Sequence, residues 1–412
     1  MTTTTLAVTP QPIGIFPLPA GYLILPPVEG IETVLPGLMQ GQVPDDLPDS
    51  LEFFRLALAG EIDAAHRSIA ADETHEAAYN RFVLKSSPEN YATLSRVFKG
   101  ELRQLLDVVA YTIGYLAMPP RRGQAQCERL AMILMAQATD ALERDDGEST
   151  VELLVEAVEL CRHVSPLFAA QILGTLAQTK YAQSGASPAL VQHYQDAIKL
   201  LESAGLTKIR AEMWLNLGIV YHDLANGRRG ALLEAVKCYQ QALSVLTRDK
   251  YPEAYALAQS NLGLAYLAMP LQEAGDQLRM AIAVQALREA LQVYTPETYP
   301  EQWASAQLNL ANAYQYLPST HPEENLIQAV ELYEELLAVR RRSSDPVGYA
   351  RVLANQGNAL AHLGIFTQAA PKLQEARSIF EAHGETDAAA SITGVLDQIN
   401  FNMSNGNGHG AV

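Results

Sequence analysis

Along most of this chain apolar residues recur every three or four positions, the period of a helix with one buried face. From Gln124 to about Asn400 nearly every stretch reads as a helix of roughly 10–18 residues followed by a short break. Long alternating runs of β-branched residues are absent, so no sheet is expected. Shorter helical stretches begin near Asp49. Ser50 is placed to cap a helix over SLEFFRLALAG, with Gly60 ending it. In GELRQLLDVVAYTIGYLAM, the residues Leu102, Leu105, Leu106, Val109, Ile113 and Leu116 form one apolar stripe. Pro119-Pro120-Arg121-Arg122-Gly123 breaks the pattern and marks a boundary.

Residues 1–47 behave differently. Prolines at 10, 12, 17, 19, 26, 27, 36, 44 and 48 forbid a continuous helix and argue against a central strand. Yet Ile13, Ile15, Phe16, Leu18, Tyr22, Leu23, Ile24 and Leu25 are too apolar for a solvated linker. An extended strap lying in a hydrophobic groove is expected, the groove belonging either to this chain or to a partner. The segment has no basic leader region, so it does not read as a signal peptide or a spanning helix.

The strongest signal is an internal repeat. NLGIVY at 216–221 recurs as NLGLAY at 261–266, NLANAY at 309–314 and NQGNAL at 355–360, with starts 45, 48 and 46 residues apart. A second element follows each copy: AVKCYQQAL at 235–243, AVQALREAL at 283–291, AVELYEELL at 329–337 and AAPKLQEAR at 369–377. A third precedes the last three: YPEAYA at 251–256, YPEQWA at 299–304 and DPVGYA at 345–350. Small Gly218, Gly263, Ala311 and Gly357 let a second helix come close, and Ala235, Ala283, Ala329 and Ala369 sit where the helices cross. Tyr239, Leu287, Tyr333 and Leu373 lie one turn later on the same face. Prolines at 252, 300 and 346 each begin a helix, where a missing N–H costs nothing.

These elements resemble the tetratricopeptide repeat. Trp214-x2-Leu217-Gly218-x2-Tyr221 matches the first helix of that family, and Ala235, Tyr239 and Ala242 match the second. The likeness is strong over 208–382, weaker over 124–204 and absent from 1–118. The loops within the copies at 216, 261 and 309 are longer than usual, and only the copy at 355 is compact. With the YPExWA element, this spacing is similar to repeats of bacterial proteins of the caspase-like CHAT and kinesin-light-chain groups, although no residues remain to build a caspase-like domain. The resemblance implies an all-α fold whose helix-turn-helix repeats wind into a right-handed superhelical solenoid. The expected organisation is a Pro-rich extended strap over 1–47 and an N-terminal helical region over 48–118. A repeat array over 124–382, a capping helix over 383–401 and a disordered tail over 402–412 follow. Ile392, Val395, Leu396 and Ile399 lie on one face of the capping helix.

Composition changes the picture only a little. The 412 residues carry a formal net charge of −17, which disfavours nucleic acid and anionic lipid as partners. That charge serves solubility or, alternatively, recruits a basic partner. Cys127, Cys161 and Cys238 are odd in number and widely spaced, which fits reduced thiols in a cytoplasm. Metal and phosphate motifs and nucleophile elbows are missing, so the chain reads as no enzyme and calls for no cofactor or metal. DETHE at 72–76 is a helix junction or, less simply, a metal site; Arg340, Arg341 and Arg342 face a helix C-terminus or bind an anion.

One polar pattern stands out. Asn216, Asn261, Asn309 and Asn355 hold the same position in four successive first helices, although asparagine disfavours helix interiors. The resemblance implies that this position faces the concave groove, where kinesin-light-chain-like arrays use an asparagine ladder on extended peptide backbone. The competing reading is that each carboxamide bonds a neighbouring helix. Asn312, Asn358, His222, Gln315, Tyr316 and Arg351 are further candidate groove residues. The expected role is a scaffold, adaptor or assembly factor holding an extended segment of another protein. Alternatives are a repeat protein that senses a peptide or small ligand, and a structural subunit docking through its strap. Oligomeric state is not legible.

Overall fold

The computed structural model describes residues 23–38, 42–270, 275–317 and 321–406, and among these every regular element is helical. The chain divides into two compact units, Met1–Leu224 and Ala225–Val412. The division falls inside the copy that starts at Asn216, after its first helix.

The first unit holds α1 (Ile31–Leu38), α2 (Glu52–Leu58), α3 (Ile62–Ser68), α4 (His75–Leu84), α5 (Pro88–Val97), α6 (Gly100–Thr112), α7 (Cys127–Glu143), α8 (Gly147–Cys161), α9 (Pro166–Ser184), α10 (Pro188–Leu200) and α11 (Thr207–Leu224). From α2 onward each helix packs on the next. Local chemistry sets the boundaries. The side chains of Thr74, Ser87 and Asp146 accept the backbone N–H three residues on, capping α4, α5 and α8. Pro166 and Pro188 open α9 and α10, where no N–H is needed.

Three sequence expectations are corrected here. Ser50 caps nothing: it lies in a 3₁₀ turn over Asp49–Leu51, and α2 begins after it. The helix after Gly100 stops at Thr112, short of Ile113 and Leu116, because Gly114 turns the chain at φ +80°. The strap is not extended throughout. Residues 31–38 form α1, with Ile31, Val34 and Leu38 buried. Pro36 is tolerated because it and Glu32, whose carbonyl loses its partner, are both exposed, so water can serve that carbonyl.

The described start of the strap packs on its own unit. Leu23, Ile24 and Leu25 are buried, at 0%, 1% and 1% exposure. Complete burial of such side chains contributes about 1.5–3 kcal/mol each. Their backbone is served by Asn80 of α4, itself buried: Ile24 N–H donates to its Oδ1 at 2.8 Å, and its Nδ2 donates to the Ile24 carbonyl at 2.8 Å. Further on, Gln42 Nε2 donates to the Ser203 carbonyl at 2.6 Å, beyond the end of α10. The earlier apolar positions Ile13 to Tyr22 lie outside the described residues.

The second unit holds α12 (Arg229–Leu243), α13 (Pro252–Leu267), α14 (Asp276–Leu291), α15 (Pro300–Tyr316), α16 (Pro322–Val339), α17 (Pro346–His362), α18 (Phe366–Ala382) and α19 (Thr386–Gly406). Successive helices pack in order as a solenoid, and α13–α15, α15–α17 and α17–α19 also touch. The first helices of successive pairs therefore stand side by side in one layer. The crossing alanines Ala283, Ala329 and Ala369 are fully buried, as are Leu287, Tyr333 and Leu373. At Gly357 an added Cβ would lie 2.7 Å from Leu373 Cγ, and at Gly263 one would lie 2.9 Å from Leu287 Cγ. The close approach read from the small residues is thus made at both glycines. At the far end, Ala389, Ile392, Leu396 and Ile399 of α19 complete a core with α17 and α18. Helix α19 runs on to Gly406, past the expected start of the tail, its last turns carrying exposed Phe401 and Met403. Residues 407–412 lie outside the described residues.

Candidate functional site

The repeat puts the same position of three neighbouring helices of the second unit, α13, α15 and α17, into one layer. Asn261, Asn309 and Asn355 occupy that position, and all three are half-buried. They are not equivalent. Asn355 Nδ2 donates to Asn312 Oδ1 at 3.0 Å, bridging α17 to α15. The same oxygen accepts from the Tyr333 hydroxyl at 2.7 Å, and that hydroxyl also lies 3.2 Å from Gln315 Oε1. Burial, with the nearby Tyr316 phenol as the smaller cause, pushes the Tyr333 phenol well above its ordinary pKa, so it remains a donor. Two donors on one oxygen fix which way the Asn312 amide faces.

No hydrogen bond from another described residue reaches the carboxamides of Asn261 and Asn309. Asn358 is half-buried, and its Oδ1 is buried without a partner among the described residues. Tyr316, at 65% exposure, and Arg351 are exposed. The structure therefore gathers Asn312, Gln315 and Asn355 into one network, leaves Asn261 and Asn309 half-buried outside it, and exposes Tyr316 and Arg351. Asn216 and His222 are half-buried on α11 of the first unit.

Two contributors escaped the sequence reading. Tyr333, read as core, supplies the hydroxyl that ties the network together. Gln356 occupies the place held by Leu217, Leu262 and Leu310 in the other copies. It is 2% exposed; its Nε2 donates to the Val330 carbonyl at 3.3 Å, and its Oε1 has no partner among the described residues. The signal was visible as the single Gln in NQGNAL.

The surroundings are acidic, and four of the carboxylates have partners within the chain. Tyr255 donates to Glu289 at 3.0 Å, and Gln307 Nε2 to Glu335 at 2.5 Å. Arg340 lies 3.4 Å from Asp345 and Arg342 3.2 Å from Glu375, so intramolecular carboxylates engage two of the three arginines. In the first unit, His75 packs against Phe98 with the rings tilted by 59° and centroids 5.6 Å apart, which is a packed helix junction. Among the described residues no group of His, Cys, Asp and Glu could hold a metal ion, and no helix is long and apolar enough to cross a membrane. The three cysteines are free thiols, and burial pushes those of Cys161 and Cys238 upward, the latter to about 12. Such thiols are poor nucleophiles. What the described network offers is neutral hydrogen bonding.

No protein-family model matches the sequence, and comparison with curated proteins finds no match. Solved structures do resemble it. The apo form of RapI superposes with a TM-score of 0.48 at 12% identity, over 86% of this chain and 97% of that one. BtubC (BKLC) from P. vanneervenii gives 0.44 at 18% identity, over 59% of this chain and 92% of that one. A tetratricopeptide repeat protein from Parabacteroides merdae ATCC 43184 gives 0.33 at 17%, over 65% and 98%.

Proposed function

We propose that this all-α helical-repeat chain is a non-catalytic interaction scaffold whose second unit grips an extended segment of another protein on the layer formed by α13, α15 and α17. The observation that carries this is the pair Asn261 and Asn309. They stand at one repeat position on neighbouring helices, with carboxamides that no other described residue bonds. A carboxamide offers two donors and an acceptor, which suits the alternating N–H and C=O of extended backbone. Asparagine lowers helix propensity, so a retained unpaired one needs a use outside the helix. Tyr316 and Arg351 flank the pair as side-chain contacts, and Asn355, Asn312, Asn358 and Gln315 shape the end of the site. Asn216 and His222 of the first unit are candidate contacts of the same kind. The long-spaced tetratricopeptide pattern similar to kinesin-light-chain-like arrays fits this reading.

The test is a displayed random-peptide selection on the wild-type protein, repeated on Asn261→Ala/Asn309→Ala. Each lost hydrogen bond is worth about 0.5–1.5 kcal/mol, so selected peptides should bind the double variant about tenfold more weakly or worse, with the melting temperature held. Peptides that bind both proteins equally would sink the proposal.

A further inference from the structure

The first unit contains a place where this chain already grips extended backbone. Leu23, Ile24 and Leu25 are non-helical and entirely buried, and Asn80 meets both the N–H and the C=O of the middle residue at 2.8 Å. That bidentate pairing reproduces one rung of a β-ladder with a side chain in place of the second strand. The Asn80 bonds read backbone alone, while burial of the middle side chain restricts it to an aliphatic that fits. The two flanking side chains fill apolar space, and register is pinned on one side by Pro26 and Pro27, which have no N–H to offer.

The next anchor is α1, whose Ile31, Val34 and Leu38 are buried. Residues 26–30 between the two anchors are irregular, with Pro27 and Glu29 exposed. Gly30 at φ +82° makes the turn into α1. The triplet and α1 are thus two anchors joined by an irregular link.

We infer that the Asn80 site is an exchangeable receptor for an extended segment with three consecutive aliphatic residues on a partner protein. Leu23–Leu25 is its built-in occupant and holds it closed. The site lies on α4, apart from the asparagine layer of the second unit, and does not rest on the function proposed for that layer. The tethered occupant competes at an effective concentration on the order of millimolar. A partner segment must therefore bring further contacts of its own to displace it.

The experiment uses full-length protein and a fluorescent heptapeptide with the sequence of residues 23–29. In the variant Leu23→Asp/Leu25→Asp the resident triplet no longer fits and the site stands open. The peptide should bind this variant saturably, and bind wild type at least about tenfold more weakly because the tether competes. Adding Asn80→Ala should weaken binding to the open variant about tenfold, and so should N-methylation of the peptide at the Ile24 position. A natively helical open variant that ignores the peptide, or one that binds the N-methylated peptide equally well, overturns the proposal. If the open variant fails to fold, native-state hydrogen exchange on wild type decides. The Ile24 amide should exchange well ahead of the α4 core amides through local opening, whereas equal protection means a fixed core strand and overturns the proposal. A wild-type dimer by light scattering that becomes monomeric in the open variant would make a second copy the occupant, and the partner reading fails.

Discussion

Asn355 donates to Asn312 across 43 residues of sequence and two helices, and the oxygen that accepts it is shared with Tyr333. One member of the asparagine series is thus committed to holding helices together, whereas Asn261 and Asn309 are not. The reading of a carboxamide bonded to a neighbouring helix holds for Asn355, and the groove reading of Asn261 and Asn309 is the proposal made above.

Substitution should separate them. Asn312→Ala removes an acceptor with two donors and leaves the Tyr333 hydroxyl with Gln315 alone, so urea unfolding should show a loss of about 1–2 kcal/mol. Asn309→Ala removes no internal bond and installs the better helix former, so stability should hold or rise by a few tenths of a kcal/mol. Equal losses for the two would show that Asn309 is wired internally as well.

Gln356 is predicted to be a stability deficit. Its neighbours in the repeat use leucine, its Oε1 is buried without a partner among the described residues, and its one bond is long at 3.3 Å. Gln356→Leu should raise the urea midpoint, by about 1–2 kcal/mol in free energy, since an unsatisfied buried acceptor costs that much. A fall in the midpoint would mean that the amide is satisfied in solution.

The contact between Gly357 and Leu373 should behave as a lock. A Cβ 2.7 Å from Leu373 Cγ cannot be accommodated in place, so Gly357→Ala is expected to cost about 1–3 kcal/mol. Leu373→Ala alone opens a cavity and costs about 2–5 kcal/mol. The double variant should cost clearly less than the two singles together, because the new methyl fills part of the space. Strict additivity would show that the helices slide apart instead.

Thiol chemistry should report the two units separately. Cys161 belongs to the first and Cys238 to the second, and burial is the main cause raising both thiols. A disulfide reagent at neutral pH should label half-buried Cys127 first and reach the other two only as their units open. The folded pKa of Cys238, about 12, stands above its ordinary 9.0. Its contribution to stability is therefore complete below pH 9 and lost as pH rises from there toward 12. Prompt labelling of Cys238 in the native protein would contradict its burial.

How much of this was legible beforehand divides along a physical line. The repeat fixed helix positions in the second unit because glycine, alanine and tyrosine recur at the crossing points, and crossing geometry is local to each pair. Prolines at 252, 300 and 346 begin α13, α15 and α17 as read. The pairing of Asn80 with Ile24 was not legible, since nothing local links residues 56 positions apart. A lone polar residue on the apolar face of HEAAYNRFVLK was the only trace. Tyr333 likewise looked like core because its ring is core; only its hydroxyl serves the network. The end of α6 was misjudged because an apolar stripe persists through Ile113 and Leu116 after the backbone has turned at Gly114.

Helix α19 touches both α17 and α18, filling the berth in which another repeat would sit. A berth so filled makes the number of repeats a countable property of the gene. Lengthening by duplication within the stack would leave this junction untouched. Each such event would add one whole rung, of about 46 residues by the observed spacing of the last two copies. The reach of the layer is then tuned in fixed steps, as on a ruler divided in whole units.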